Sequence, residues 1–234
     1  DCLLSRGLGD VYKRQMHNVT VAFAALLVML LSYFFGCFNG SFMVSHFIIR
    51  DDVRKHGSGN AGLTNFYRTY GAKYALLVIA CDMGKTVAAC LLGSFFFRCL
   101  GWDGTLGTLL AGLGCELGHI FPVFYGFRGG KGILSGGTLV LLLNWRVAAV
   151  AWALFLLLWL TTRYVSLASI TATCSAPITV YFVYAHNWLY TGLCLAVAAL
   201  VVWCHRENIQ RLLHGTEKKF KWHVNPMEGK DPPQ

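Results

Sequence analysis

The sequence is short of charged residues, and above all of acidic ones. Only 13% of its 234 residues are charged, whereas 56% are hydrophobic, and just 11 are Asp or Glu. Average globular proteins carry roughly twice this share of charge. The uninterrupted apolar runs exceed what the core of a soluble domain of this length needs. We therefore interpret the chain as an integral membrane protein with one helical domain.

Patterns typical of metal centres, disulfide frameworks and covalent nucleophiles are also absent from the sequence. The nine cysteines include no C-x-x-C pair, and most lie within apolar runs, as small hydrophobic residues do. No metal-ligand cluster, nucleophile elbow or Ser-His-Asp order is evident. We expect no metal and no cofactor.

The net charge of +9 is concentrated in a few loops. Residues 50–73 and residues 206–221 each hold five basic residues, and Arg128 and Lys131 lie in a loop between them. Basic loops of membrane proteins face the cytoplasm. This rule predicts an N-terminus outside, a cytoplasmic C-terminus and an odd number of crossings. It favours membrane lipids, and not nucleic acid, as partners.

Hydrophobic segments predict an all-α fold, a multi-pass transmembrane helical bundle. Their approximate bounds in chain order are 19–49, 72–97, 106–121, 133–160, 165–184 and 188–204. Residues 144–146 divide the fourth segment into two pieces, each near or below the ~20 residues that a crossing helix needs. About seven helices follow if both pieces cross, and five if the short segments do not.

The two ends of the chain differ from this domain. Residues 10–15 read DVYKRQ, which resembles the translation of an adapter sequence used in DNA library preparation, so we expect residues 1–15 to be an artefact. In this interpretation Met16 opens the protein. We expect a single transmembrane domain over residues 16–222 and a disordered polar tail over residues 223–234.

A glycine-rich loop at residues 57–68, GSGNAGLTNFYR, has the composition of a phosphate-binding loop, although a polar interhelical turn would share it. Glycine lets backbone N–H groups turn toward an oxyanion that approaches closely. Hydroxyl and amide groups add neutral hydrogen bonds, and arginine adds a bidentate charge. The candidate binding residues here are Ser58, Gly59, Asn60, Gly62, Thr64, Asn65 and Arg68.

A second loop region, GHIFPVFYGFRGGKG at residues 118–132, places a lysine among glycines. Lys131 beside exposed N–H groups suits phosphate, but Tyr125 stands where a Walker A motif needs glycine. His119 is a candidate general base or phosphate donor, although a structural hydrogen-bonding role is the simpler interpretation. The loop's candidate binding residues are Gly129, Gly130, Lys131 and Gly132, and the candidate catalytic residues are His119, Lys131 and Arg68.

Charged residues also lie inside the predicted spans, where a charge is costly and is usually paired or functional. Asp82 and Lys85 are three residues apart and so share a helix face, as do Glu116 and His119. Asp82 and Lys85 would neutralise each other and hold helices together. We assign a supporting role to Asp82, Lys85 and Glu116.

A third region, HRENIQRLLHGTE at residues 205–217, follows the last span. His205, Asn208 and Arg211 lie at helical spacing and form a polar face that could close a site below the membrane. An interfacial helix that contacts lipid headgroups would show the same pattern. These three residues and Glu217 complete the candidate binding residues.

The three motifs together resemble those of the bacterial acyl-phosphate:glycerol-3-phosphate acyltransferases. Their order, spacing and intervening spans match from about residue 32 to residue 217. Leu63, Ser135 and Thr86 depart from the family pattern, which has Ala, Thr and Gly at these places. Leu63 could crowd the first loop, and the other two changes look tolerable.

The resemblance implies an integral enzyme of the bacterial inner membrane, with seven helices and a site facing the cytoplasm. It implies transfer of a fatty acyl group from acyl phosphate to the 1-hydroxyl of sn-glycerol 3-phosphate. The products are lysophosphatidic acid and phosphate, in the first step of phospholipid biosynthesis. The acyltransferase that produces acyl phosphate is the expected pathway neighbour, and we expect a monomer.

Two alternatives stay open at the level of sequence. A transporter of organic phosphates would also need polar loops, but it predicts polar residues through the bilayer centre and repeated halves. The polar residues here gather at one side, and no repeat is detectable. His46 and Asp51 form the H-x-x-x-x-D pattern of another class of glycerolipid acyltransferases, a spacing that also arises by chance.

Overall fold

The computed structural model describes residues 2–221, with side chains from residue 15, and this range is helical without a strand. The predicted tail at residues 223–234 lies outside the described residues, and the boundary after residue 15 stays a prediction. The helices are α1 (Cys2–Cys37), α2 (Gly40–Met43), α3 (Leu63–Tyr70), α4 (Ala75–Cys99), α5 (Gly104–Ile120), α6 (Ile133–Leu143), α7 (Trp145–Thr162), α8 (Val165–Val183), α9 (Trp188–Cys204) and α10 (Arg206–Leu213).

Seven apolar helices, α1 and α4 to α9, form the predicted bundle. The stretches long and apolar enough to cross a membrane are Gln15–Ile49, Ala75–Cys99, Gly104–Tyr125, Trp145–Thr162 and Val165–Val183. Helix α9 passes the same test only together with α10, across a bend of 59°. Helix α6 has 11 residues and is too short to cross alone. The predicted division of the fourth segment is confirmed.

Side-chain caps determine where three of the bundle helices begin. Asp103, Asn144 and Asn187 each accept a backbone N–H from the first turn of α5, α7 and α9, respectively. Such caps satisfy N–H groups that the first turn of a helix leaves unpaired. Short polar interruptions therefore separate helices that hydrophobicity alone would run together.

The first hydrophobic segment, predicted as one stretch over residues 19–49, is broken. Helix α1 ends at Cys37, and a π-helical turn over Val44–Ile49 follows α2. Asn39 lies in the break and accepts the N–H of Phe42, while its Nδ2 donates to the carbonyl of Ala61 at 2.9 Å. The break arises because this amide bonds both to α2 and to the first loop.

Glycines bring α1 and α5 into main-chain contact. A Cβ on Gly36 would lie 2.1 Å from the carbonyl oxygen of Cys115, and one on Gly118 would lie 2.0 Å from that of Tyr33. Small residues allow the backbones of membrane helices to approach this closely. The contact holds the C-terminal end of α5, which carries His119, against the end of α1.

We expect Gly36→Ala to lower the melting temperature of the protein in detergent. The added methyl group would meet a main-chain oxygen, and such overpacking costs about 1–3 kcal/mol. Gly84→Ala in α4 is the matched control, because its Cβ would meet nothing within 4 Å. The control should unfold at or above the temperature of the unsubstituted protein. Equal melting temperatures for the two variants would contradict this packing.

Candidate active site

The three motif regions meet on one side of the bundle. The N–H of Ala61 in the first loop donates to the carbonyl oxygen of Gly129 in the second loop at 3.4 Å. Lys131 in the second loop donates through Nζ to Oδ1 of Asn208 on α10. Residues that lie far apart in the sequence thus share one surface.

Asn65 organises the first loop. Its Oδ1 accepts the N–H of Ser58 at 3.0 Å, and its Nδ2 lies within 3.1 Å of three carbonyl oxygens, those of Val53, His56 and Asn60. The side chain is buried, so its amide is used within the loop. Ser58 remains exposed near the tip. The other candidate residues of this loop are exposed or half-buried, namely Gly59, Asn60, Gly62 and Thr64.

The second loop rests directly on two side chains of α5. A Cβ on Gly130 would lie 2.2 Å from Nε2 of His119, and one on Gly132, whose φ is +79°, would lie 2.0 Å from Oε2 of Glu116. Only glycine fits at either position. Neither carboxylate oxygen of Glu116 has a hydrogen-bond partner within the described part of the chain. The Glu116 side chain therefore contacts this loop through van der Waals packing.

A buried charge cluster lies behind the second loop. Nζ of Lys85 is 2.9 Å from Oδ1 of Asp82 and 2.8 Å from Nδ1 of His119. It also donates to the carbonyl oxygens of Gly36 and Phe38, at 3.1 and 3.0 Å. The three charged or ionisable side chains are all buried. The expected Asp82–Lys85 pair is therefore present, and it joins α4 to the ends of α1 and α5.

Two charged groups lie near Nδ1 of His119. Oδ1 of Asp82 is 3.6 Å away, beyond hydrogen-bonding distance, and the Lys85 ammonium is closer. It lies 2.8 Å from Nδ1 and can only donate, so Nδ1 accepts. We accordingly assign the proton of neutral His119 to Nε2. Because Nε2 faces Gly130 in the second loop, the imidazole presents a hydrogen-bond donor on the loop side.

Glu217 joins the third region to the bundle. Its carboxylate accepts hydrogen bonds from Ser166 Oγ at 2.8 Å, and from Asn208 Nδ2 and Arg211 Nε at 2.7 Å each. Burial would raise the pKa of Glu217, but these hydrogen bonds outweigh it and hold the pKa below its ordinary value. His205 lies buried at the bend between α9 and α10.

Positive charge is in excess where the three regions meet. Burial lowers the pKa of both Lys131 and Arg68. The positive charge of Arg211 lowers both values further, whereas the negative charge of Glu217 opposes the shift. Three cations thus face two carboxylates, Glu217 and the mostly exposed Glu207, and the remaining positive charge favours an anionic ligand.

Arg54 is a residue of this surface that the sequence analysis missed. Its guanidinium pairs with Asp52 at 2.9 Å and donates to the carbonyl oxygen of Tyr125 at 2.7 Å, so it ties the first loop to the second. It also lies over the ring of Phe42, 4.4 Å from the centroid. In the sequence, Arg54 lies in the run DDVRK at residues 51–55. The charge of this run predicts which side of the membrane it faces but not a contact with the second loop.

His46 and Asp51 do not pair with each other. Oδ2 of Asp51 is 2.8 Å from Nε2 of His56, and the ring of His46 stacks on Phe42 with centroids 5.2 Å apart. The two residues of the H-x-x-x-x-D pattern therefore have separate partners.

Leu63, which departs from the family pattern, packs against the apolar cluster around Phe66.

Comparison with known proteins agrees with this geometry. The family model for glycerol-3-phosphate acyltransferase matches residues 26–215. The chain belongs to the glycerol-3-phosphate acyltransferase family. It is 39% identical over 197 residues to the glycerol-3-phosphate acyltransferase of Syntrophomonas wolfei subsp. wolfei, covering 84% of this chain and 96% of the relative. It is 37% identical over 196 residues to the glycerol-3-phosphate acyltransferase of Finegoldia magna, covering 83% of this chain and 96% of that relative.

Two crystal structures of PlsY (YgiH), an integral membrane glycerol 3-phosphate acyltransferase, have the same fold. The glycerol 3-phosphate form superposes with a TM-score of 0.75 at 36% identity, covering 84% of this chain and 96% of that one. The lysophosphatidic acid form superposes with a TM-score of 0.72 at 35% identity, covering 84% of this chain and 95% of that one. The chain is thus an integral membrane acyltransferase, as the motifs predicted.

We expect the stability contributed by Glu217 to depend on pH. A carboxyl group whose folded-state pKa lies below its ordinary value of 4.5 stabilises the fold above that value. This stabilisation is lost as the pH falls through the folded-state pKa. The difference in melting temperature between the unsubstituted protein and Glu217→Gln should therefore be full near neutral pH and shrink below about pH 4.5.

Glu207→Gln is the matched control for this experiment. Glu207 lies 3.8 Å from Arg211, and its side chain is 68% exposed, so the substitution should change the melting temperature little at any pH. A Glu217→Gln difference that stays constant down to about pH 3 would contradict the assigned role of the carboxylate.

Proposed function

We propose that this acyltransferase transfers a fatty acyl group from acyl phosphate to the 1-hydroxyl of sn-glycerol 3-phosphate. The products are lysophosphatidic acid and inorganic phosphate, which makes this the first step of phospholipid biosynthesis. The observation that carries the proposal is the meeting of Arg68, Lys131 and Arg211 from three separate regions. Both substrates present a phosphate, and the related PlsY structures contain glycerol 3-phosphate and lysophosphatidic acid.

The candidate residues divide between phosphate binding and support. Arg68, Lys131 and the loop at residues 58–60 bind phosphate oxygens. The N–H groups of Gly129 and Gly130 are not available for this, because they donate to the carbonyl oxygens of Ile120 and His119 at 3.1 Å each. His205, Asn208 and Arg211 hold glycerol 3-phosphate. Asn65 acts by shaping the first loop, since its amide is used there. Glu217 holds two members of this set in place.

Acyl phosphate is a mixed anhydride, so positioning and charge neutralisation can account for most of the catalysis. The attacking hydroxyl oxygen bonds to the acyl carbon, and the bond from that carbon to the phosphate oxygen breaks. The hydroxyl proton is transferred to the departing phosphate. In the assigned tautomer Nε2 of His119 carries the proton, and a general base would need that nitrogen unprotonated. This geometry favours a substrate phosphate oxygen over His119 as the proton acceptor.

We propose that the site faces the cytoplasm at the bacterial inner membrane. The three basic regions lie on one side of the bundle, and the positive-inside rule assigns that side to the cytoplasm, where a soluble dianion such as glycerol 3-phosphate is available. We also propose that the enzyme acts as a monomer. An acyltransferase that makes acyl phosphate would supply the donor. Transport of organic phosphates is the weaker candidate, because the relatives are acyltransferases.

The donor assignment is tested with purified protein, labelled glycerol 3-phosphate and three donors: acyl phosphate, acyl-CoA and acyl carrier protein. We expect lysophosphatidic acid from acyl phosphate alone. Lys131→Met should lower kcat/KM by roughly 100-fold or more, because one phosphate-binding cation is removed. Lys55→Met, at an exposed lysine of the first loop region, is the control. Product from thioesters alone, or full activity of Lys131→Met, would contradict the proposal.

A separate substitution tests the role of His119. A glutamine side chain places an N–H near the position of Nε2 but cannot serve as a base at neutral pH. We expect His119→Gln to retain most of the turnover and His119→Ala to lose more. A His119→Gln enzyme that folds but loses about 100-fold or more in kcat would instead identify His119 as the general base.

A further inference from the structure

The chain turns back after α10 and returns across the candidate site. Gly215 has a φ of +68°, and the N–H of Thr216 donates to the carbonyl oxygen of Arg211 at 2.8 Å, which closes the turn. Residues 216–221, here named the C-terminal strap, then run past α3. The family match ends at residue 215, so the strap lies beyond it.

Phe220 anchors the C-terminal strap to two helices. Its ring stacks on Tyr67 of α3 with centroids 5.4 Å apart, and it meets Trp159 of α7 edge-on, also at 5.4 Å. Its N–H donates to the carbonyl oxygen of Arg163, between α7 and α8, at 2.8 Å. Offset stacking and edge-to-face contact are the favoured geometries of aromatic pairs. The strap is therefore seated by specific contacts.

Arg68 follows Tyr67 on α3 and contacts the same strap. Its Nη2 donates to the carbonyl oxygen of Lys218 at 3.1 Å, two residues before Phe220. This bond uses one of the five N–H donors of the guanidinium group and leaves the others for an anion. A long side chain that is already ordered loses less rotamer freedom when it binds.

We propose that Phe220 is a positioning residue for substrate phosphate. It holds the C-terminal strap against Tyr67, and the carbonyl oxygen of Lys218 then holds the Arg68 guanidinium in the orientation that binds phosphate. Phe220 itself contributes no group to the anion. The inference rests on the proposed function, in which Arg68 binds a substrate phosphate.

The first test is Phe220→Ala in the full chain, with KM and kcat measured for both substrates. Loss of the anchor should raise the KM of the substrate bound by Arg68 roughly tenfold, with a smaller change in kcat, because one side chain must then be ordered on binding. Phe220→Tyr keeps the ring and should restore the KM. Lys221→Ala, at an exposed position of the same strap, should leave both constants unchanged.

An Arg68→Lys background distinguishes positioning from a merely structural role. If Phe220 acts through Arg68, adding Phe220→Ala to the Arg68→Lys variant should not raise the KM further. A double variant whose rise in KM is the product of the two single effects would overturn the inference. The same variants can be compared without turnover by measuring how much glycerol 3-phosphate or inorganic phosphate raises the melting temperature of each. Unchanged KM values and ligand-induced shifts in Phe220→Ala would overturn the positioning role alone. Failure of the unsubstituted protein to make product would instead contradict the proposed function.

Discussion

The ammonium group of Lys85, buried within an apolar helix bundle, is the constraint on which the site end of the molecule depends. A charge at membrane depth must be satisfied inside the protein. Its partners come from three helices, and two of them are carbonyl oxygens at the end of α1. The ammonium binds carbonyl oxygens on both sides of the break that Asn39 makes after Cys37, and it also contacts Asp82 and His119. The close glycine contacts between α1 and α5 bring these groups within reach.

The loops over this cluster are shaped mainly by hydrogen bonds to their own main chain, which leaves the cations to act on a ligand. Asn65 uses its amide to hold the first loop. The second loop needs glycine because it rests on His119 and Glu116. Arg68, Lys131 and Arg211 are thereby held together at a partly desolvated surface, where their mutual repulsion favours an anion. Under the proposed function, this preorganised charge is the main requirement for acyl transfer from an activated donor.

Most of the helices could be predicted from the sequence, because apolar segments and their polar interruptions are local features. The bounds of α9, the break at Asn144 and the Asp82–Lys85 pair all follow from spacing within one segment. The break after Cys37 could not be predicted, because Asn39 takes its partner from a loop 22 residues away. Arg54 likewise depends on a carbonyl of the second loop, 71 residues away. Such contacts leave no periodic pattern, so motif resemblance indicated the site before its geometry could.

The distribution of the motifs along the chain also bears on biosynthesis. The Lys85 cluster uses residues up to His119, so it can form once α5 has been inserted, before α6 to α10 are synthesised. The proposed anion site needs Asn208, Arg211 and Glu217, which are synthesised well after His119. A partly synthesised chain therefore holds the scaffold without the binding surface. Under the proposed function, the nascent chain would bind neither phosphate substrate until its last helices were in place.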